Sequence, residues 1–129
     1  MIGSLKLAVL FLFGLFVLTG CGKYVPEEPA PNTGTVFQKT PEEVQAAARN
    51  ALSRLSFAIT KETGDYIEAV HLRQGETVDD NKGEMAYIWI KPREGNVLVL
   101  TYTRQRSSGI AKQKYWDDMI IAKMIEEMQ

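Results

Sequence analysis

Met85-Ala86-Tyr87-Ile88-Trp89-Ile90-Lys91-Pro92 leads through Arg93-Glu94-Gly95-Asn96 into Val97-Leu98-Val99-Leu100-Thr101-Tyr102-Thr103. Side chains along an extended strand point alternately to opposite faces. The first run therefore puts Ala86, Ile88 and Ile90 on one face and Met85, Tyr87, Trp89 and Lys91 on the other. In the second run Leu98, Leu100 and Tyr102 oppose Val97, Val99, Thr101 and Thr103. The link between them, with glycine and asparagine after a proline, has hairpin chemistry. Both faces are partly apolar, more than a sheet with one face wholly in water needs. Either helices cover both faces unevenly, or one face binds something. Tyr87 and Trp89 are the candidates for a sheet-face contact, the alternative being that they pack beneath the final helix or a loop.

Working outward, near-twofold periodicity also marks residues 57 to 61 and 66 to 73, with Thr63-Gly64-Asp65 as a second hairpin turn. Four strands are predicted, separated in the middle by a long acidic loop over residues 74 to 84. Before them, Thr40-Pro41-Glu42-Glu43 has the parts of a helix start: a hydroxyl N-cap, proline at the first position and a glutamate placed to close a capping box. Val44, Ala47, Ala48, Ala51, Leu52 and Leu55 then recur every three or four residues as one apolar stripe. After the strands, Trp116, Ile120, Met124 and Met128, with Ile121 and Ile125 alongside, predict a second helix over residues 111 to 128. Its polar positions are Lys112, Gln113, Asp117, Asp118, Lys123, Glu126 and Glu127. The last two lie at the unfavourable end of the helix dipole. The expected fold is α+β in two layers: helix, four-stranded mostly antiparallel sheet, helix, after an N-terminal signal peptide and flexible linker.

At the other end of the chain the pattern is of a different kind. Lys6 is followed by a core over residues 7 to 18, apolar throughout apart from Gly14, and the core closes on Leu18-Thr19-Gly20-Cys21. Small residues before a cut suit the narrow cleft of a signal peptidase. A permanent transmembrane helix would need about 20 apolar residues, so this stretch is at the lower limit. The Leu18-Thr19-Gly20-Cys21 box resembles the lipobox of bacterial lipoprotein precursors, and Cys21 is the only cysteine of the chain. The resemblance implies a diacylglycerol thioether on Cys21, cleavage between Gly20 and Cys21 and acylation of the new amino group. Each buried methylene then contributes about 0.8 kcal/mol, so that two or three acyl chains hold almost permanently. In that family an aspartate after the cysteine favours the inner membrane of diderm bacteria, and Gly22 in its place favours the outer membrane. No cofactor is expected beyond the covalent lipid.

The divisions that follow are residues 1–20 as signal peptide, 21–39 as lipidated cysteine and proline-rich tether, and 40–129 as one small globular domain. Pro26, Pro29 and Pro31 stiffen the tether toward an extended form rising about 3 Å per residue. Val36 and Phe37 either belong to it or pack back as an edge strand. Without Lys6, the chain from Cys21 onward has 14 basic and 16 acidic side chains, from totals of 15 and 16. A net charge of −2 gives no reason to expect nucleic acid. With the one thiol lipidated, disulfides, thiolate metal sites and cysteine nucleophiles are excluded.

Charge is nevertheless segregated. Residues 91 to 114 contain Lys91, Arg93, Arg104, Arg106, Lys112 and Lys114 against Glu94 alone, while residues 62 to 84 carry seven acids against Arg73 and Lys82. Arg104, Arg106, Ser107 and Ser108, near the start of the last helix, are the candidate contacts for a partner or an anion. A solvated loop is the plainer alternative, since no glycine-rich phosphate cradle accompanies them. Signs of catalysis are sparse. His71 is the single histidine, Ser107 and Ser108 lack a nucleophile elbow, and Asp79, Asn81 and Glu84 do not have calcium-loop spacing. No metal site is expected. The reading is a non-enzymatic envelope lipoprotein that touches the membrane through its lipid and binds an envelope protein or glycan. The alternative is a small ligand-binding or envelope hydrolase domain, which requires a pocket gathering His71 with two carboxylates.

Overall fold

The computed structural model describes residues 26–78, 82–106 and 112–129. The fold is α+β. Strand β1 (Thr35–Phe37) precedes helix α1 (Pro41–Arg54), the strands β2 (Phe57–Thr63), β3 (Tyr66–His71), β4 (Glu84–Arg93) and β5 (Asn96–Gln105) follow, and helix α2 (Lys114–Glu127) ends the chain. All pairings are antiparallel, in the order β1-β5-β4-β3-β2. The four expected strands are therefore joined by a fifth at the edge, where Thr35, Val36 and Phe37 pair with Val99, Leu98 and Val97. Three residues are too few to show a period, and their place in the sheet comes from backbone pairing alone.

Helix α1 starts as its sequence dictates. Glu43 N donates to Thr40 Oγ1 at 3.2 Å and Thr40 N donates to Glu43 Oε1 at 3.4 Å, closing the capping box. Such a cap contributes about 1 kcal/mol. Its stripe of Val44, Ala47, Ala48, Ala51 and Leu52 is buried against Phe57, Ile67, Ile88 and Ile90. Ile120 and Met124 of α2 complete the same core over Val97 and Val99. Both helices thus lie on one face of the sheet. A bulge between Ile59 and Lys61 leaves Thr60 unpaired and returns Glu62 to the helix side. There Glu62 accepts from Gln45 Nε2 at 2.9 Å and from Arg49 Nη2 at 2.5 Å, and the Arg49 hydrogen bond lowers its pKa.

The chain before α1 is more tightly held than a free tether. Pro31–Thr33 make a 3-10 turn, Glu28 Oε2 accepts from Lys91 Nζ at 2.8 Å, and Gly34 runs over the outer side of β5. A Cβ on Gly34 would come within 2.7 Å of Leu98 Cδ1 and Leu100 Cδ2, so no larger residue fits without displacement. The acidic helix end is also used: Glu127 pairs with Arg54 of α1, and Glu126 pairs with Lys123 at 2.9 Å.

Two glycines with positive φ separate conformational cost from steric cost. Gly95 (φ 81) turns the β4–β5 hairpin with open space where a Cβ would go, whereas a Cβ on Gly83 (φ 83) would fall 2.0 Å from His71 O. Gly95→Ala should cost about 1–2 kcal/mol, the left-handed penalty alone. Gly83→Ala should cost more than about 3 kcal/mol, because backbone must also move. Urea unfolding of the two variants measures the difference, and equal losses would show that the Gly83 contact relaxes freely.

Candidate functional site

The sheet face away from the helices is built by register. Tyr66 of β3 pairs with Trp89 of β4, which pairs with Leu100 of β5. In the next row Glu68 pairs with Tyr87, and Tyr87 with Tyr102. Four aromatic rings therefore meet: Tyr66 and Trp89 at 5.5 Å between centroids, Tyr87 and Trp89 at 6.4 Å, Tyr87 and Tyr102 at 6.1 Å. Tyr87, Val70, Leu98 and Leu100 are buried here, while Tyr66, Trp89 and Tyr102 are half-buried. Polar groups fix the rings. Tyr66 Oη donates to Glu68 Oε1 at 2.7 Å, and burial, reinforced by that carboxylate, pushes the Tyr66 hydroxyl pKa up. It stays a protonated donor. Arg104 Nε donates to Tyr87 Oη at 3.2 Å, and Lys61 Nζ lies 5.7 Å from the Tyr66 ring centroid.

Tyr87 and Trp89 therefore do not pack beneath the final helix, which covers the opposite face. The reason is parity: Ala86, Ile88 and Ile90 face the helices, so odd-numbered neighbours face away. At one corner Glu28, Asp65, Tyr66, Trp89, Lys91 and Pro92 line a pit of about 390 Å³.

The expected basic cluster is split. Arg104 turns to the aromatic face, whereas Arg106 donates through Nη1 to Lys82 O at 3.1 Å and through Nη2 to Val78 O at 2.8 Å, pinning the loop before β4. Ser107 and Ser108 lie outside the described residues, as do Asp79, Asn81 and Cys21. Glu84 belongs to β4 and is buried. Its Oε2 is 3.0 Å from His71 Nδ1 and its Oε1 3.5 Å from Arg73 Nη2. The 3.0 Å contact is a hydrogen bond when Nδ1 carries the hydrogen. The His71 ring also packs on Trp116 and Phe57, with centroids 4.7 and 5.2 Å away. One carboxylate, not two, accompanies it among the described residues. No group of three or more metal-ligating side chains occurs among them either.

Sequence reasoning missed Asp117, taken as a solvent-facing helix residue. It is buried, because it precedes Ile120 by three and Met124 by seven and so falls on the inward stripe. That spacing was the available signal. Thr103 Oγ1 is 3.0 Å from Asp117 Oδ1 and 2.6 Å from Gln113 O, and Lys112 Nζ is 3.4 Å from Oδ2. The arrangement ties the first turn of α2 to β5, at the inner wall of a groove of about 720 Å³ that also includes Thr33, Thr35, Val99 and Ile121. Burial raises the Asp117 pKa, against the opposing pull of Lys112.

No protein-family model matches the sequence, and no similar curated protein was found. Among solved structures, a similar chain is the adenylate sensor from AMP-activated protein kinase in complex with 5-aminoimidazole-4-carboxamide 1-beta-D-ribofuranotide. The TM-score is 0.47 and the identity 16%, over 71% of this chain and 94% of that one.

Because folded Asp117 holds its proton more tightly than the unfolded chain does, its contribution is fully present below the unfolded carboxylate pKa and is lost as pH rises through the folded value. Asp117→Asn removes that term. Its urea midpoint should therefore gain on the wild type as pH rises from 3.5 to 7, and a constant difference over that range would show that Asp117 does not titrate abnormally.

Proposed function

We propose that this chain is a membrane-anchored lipoprotein of the bacterial cell envelope, lipidated on Cys21, whose domain binds an envelope protein or polymer without catalysing a reaction. The observation that carries the reading is the Leu18-Thr19-Gly20-Cys21 box at the end of an apolar run. In a cell with two membranes, Gly22 after the cysteine favours the outer one, with the domain facing the periplasm. Binding, rather than catalysis, is supported by the chemistry at hand: the outer sheet face offers Tyr66, Trp89 and Tyr102, whereas His71 has one carboxylate and is packed between rings. Aromatic side chains supply much of the contact energy in recognition surfaces. Among the described residues no helix is long and apolar enough to cross a membrane.

Cells expressing the full chain and grown with an alkyne-tagged fatty acid should incorporate the label, and Cys21→Ser should lose it and enter the soluble fraction. An unlabelled wild type overturns the anchor. Crosslinking through a photoreactive side chain at Tyr102 should capture an envelope component above the Cys21→Ser background; equal capture by both chains counts against the binding role.

A further inference from the structure

We propose that the corner pit at Tyr66 and Trp89 is a glycan-binding subsite that takes a β-linked, equatorially substituted pyranose. This rests on the binding role above and names the class of polymer. The first argument is shape and ring chemistry. Tyr66 and Trp89 stand 5.5 Å apart at 46°, both half-buried, so the pit has an aromatic wall rather than a flat aromatic surface. An aromatic face is electron-rich. A pyranose of this class presents a face of C–H bonds, apolar and slightly positive, that stacks on such a ring.

The second argument is the rim. A sugar's hydroxyls at the ring edge need acceptors and donors together. The pit supplies Asp65 and Glu28 as carboxylate acceptors and Lys91 as an ammonium donor. Glu28 and Lys91 are 2.8 Å apart and exposed, so hydroxyls can insert beside the pair while both remain solvated. Asp65 belongs to the tight turn between β2 and β3 and is exposed, with Oδ1 3.0 Å from Thr63 Oγ1. A purely apolar peptide side chain would satisfy the rings but make no hydrogen bond to Asp65, Glu28 or Lys91.

The third argument is preorganisation. The Tyr66 hydroxyl is held by Glu68 at 2.7 Å, and the backbone beneath is locked by Ile90 N donating to Asp65 O at 2.8 Å. A tyrosine ring held in this way before binding loses little entropy on binding. The volume of about 390 Å³ is at the small end of the 300 to roughly 1,000 Å³ usual for ligand pockets. That suits a single ring of a longer chain entering from the open side.

The test is a titration of the lipidated mature protein, in detergent micelles, with chitotetraose, a β-1,4 tetramer of N-acetylglucosamine, read by tryptophan emission. Trp89 and Trp116 are the chain's two tryptophans, and Trp116 is on the helix side against Phe57. A saturable change is expected in the wild type and in Trp116→Phe. By calorimetry, Trp89→Ala should bind at least about tenfold more weakly and Asp65→Asn several-fold more weakly, with unchanged circular dichroism. Asp65 is exposed, so its variant serves as the second test if Trp89→Ala fails to fold. No saturable change in the wild type at millimolar sugar, or Asp65→Asn and Trp89→Ala binding within twofold of it, overturns the proposal. Absent sugar binding together with a protein captured from Tyr102 would overturn the glycan and leave the binding role standing. Sugar binding by a chain that takes no acyl label would do the reverse to the anchor.

Discussion

The pairing of β4 with β5 is the constraint on which the other elements depend. It runs unbroken from Glu84↔Gln105 to Arg93↔Asn96, and β3, β1 and both helices attach to it. In a sheet with one wet face, slipping by one residue would be prevented by hydrophobicity alone, since every side chain changes face. Here that safeguard is weak, because Tyr87 and Trp89 would trade places with Ile88 and Ile90. Register is set instead by the turn at Glu94-Gly95, with Gly95 at φ 81, and by polar groups that work on one side only. Arg104 reaches the Tyr87 hydroxyl and Lys91 reaches Glu28 outside, while Thr103 meets Asp117 inside.

Two helices cannot cover both faces of this sheet. Five strands spaced about 4.8 Å apart span roughly 20 Å, and two helices packed about 10 Å apart cover the same width once. With α1 and α2 packed on each other and on one face, the other is left to the segment from Pro26 to Gly34 and to whatever the protein meets. The apolar outer positions are thus a consequence of counting layers. Their being aromatic, with hydroxyls and charges at the margins, makes such a face soluble when unoccupied, since Tyr and Trp present polar tips along with apolar bodies.

Much of this was legible in the sequence. Period-two runs gave the four longer strands, the Thr40 capping box gave the start of α1 to the residue, and the alternation of β4 assigned Tyr87 and Trp89 to a common face. Elements that depend on partners distant in sequence were not legible. The three residues of β1 show no period and are strand only because the edge of β5 is open. The bulge at Thr60 reverses parity in a strand whose sequence gives no sign of it, which is why Glu62 meets Arg49. Asp117 falls on the helix's inward stripe, but its polarity assigned it to solvent, and partners such as Thr103 and Lys112 make its burial tolerable. Arg104 and Arg106 are two residues apart and would share a face in a continued strand, yet β5 ends at Gln105 and Arg106 turns to the loop before β4 instead.

The path of the N-terminal segment bears on how far an anchored domain can stand from its lipid. If Cys21 is the attachment point, Thr35 of β1 is fourteen residues on, which allows about 46 Å at full extension. Glu28 is only seven residues on, about 23 Å, and its contact with Lys91 would halve the reach. An exposed pair of this kind is worth less than about 1 kcal/mol. The Glu28–Lys91 contact is therefore a weak restraint beside the three-residue pairing of β1 with β5. Pairing of β1 with β5 sets the outer limit of that reach, and the ion pair shortens it only while it is made.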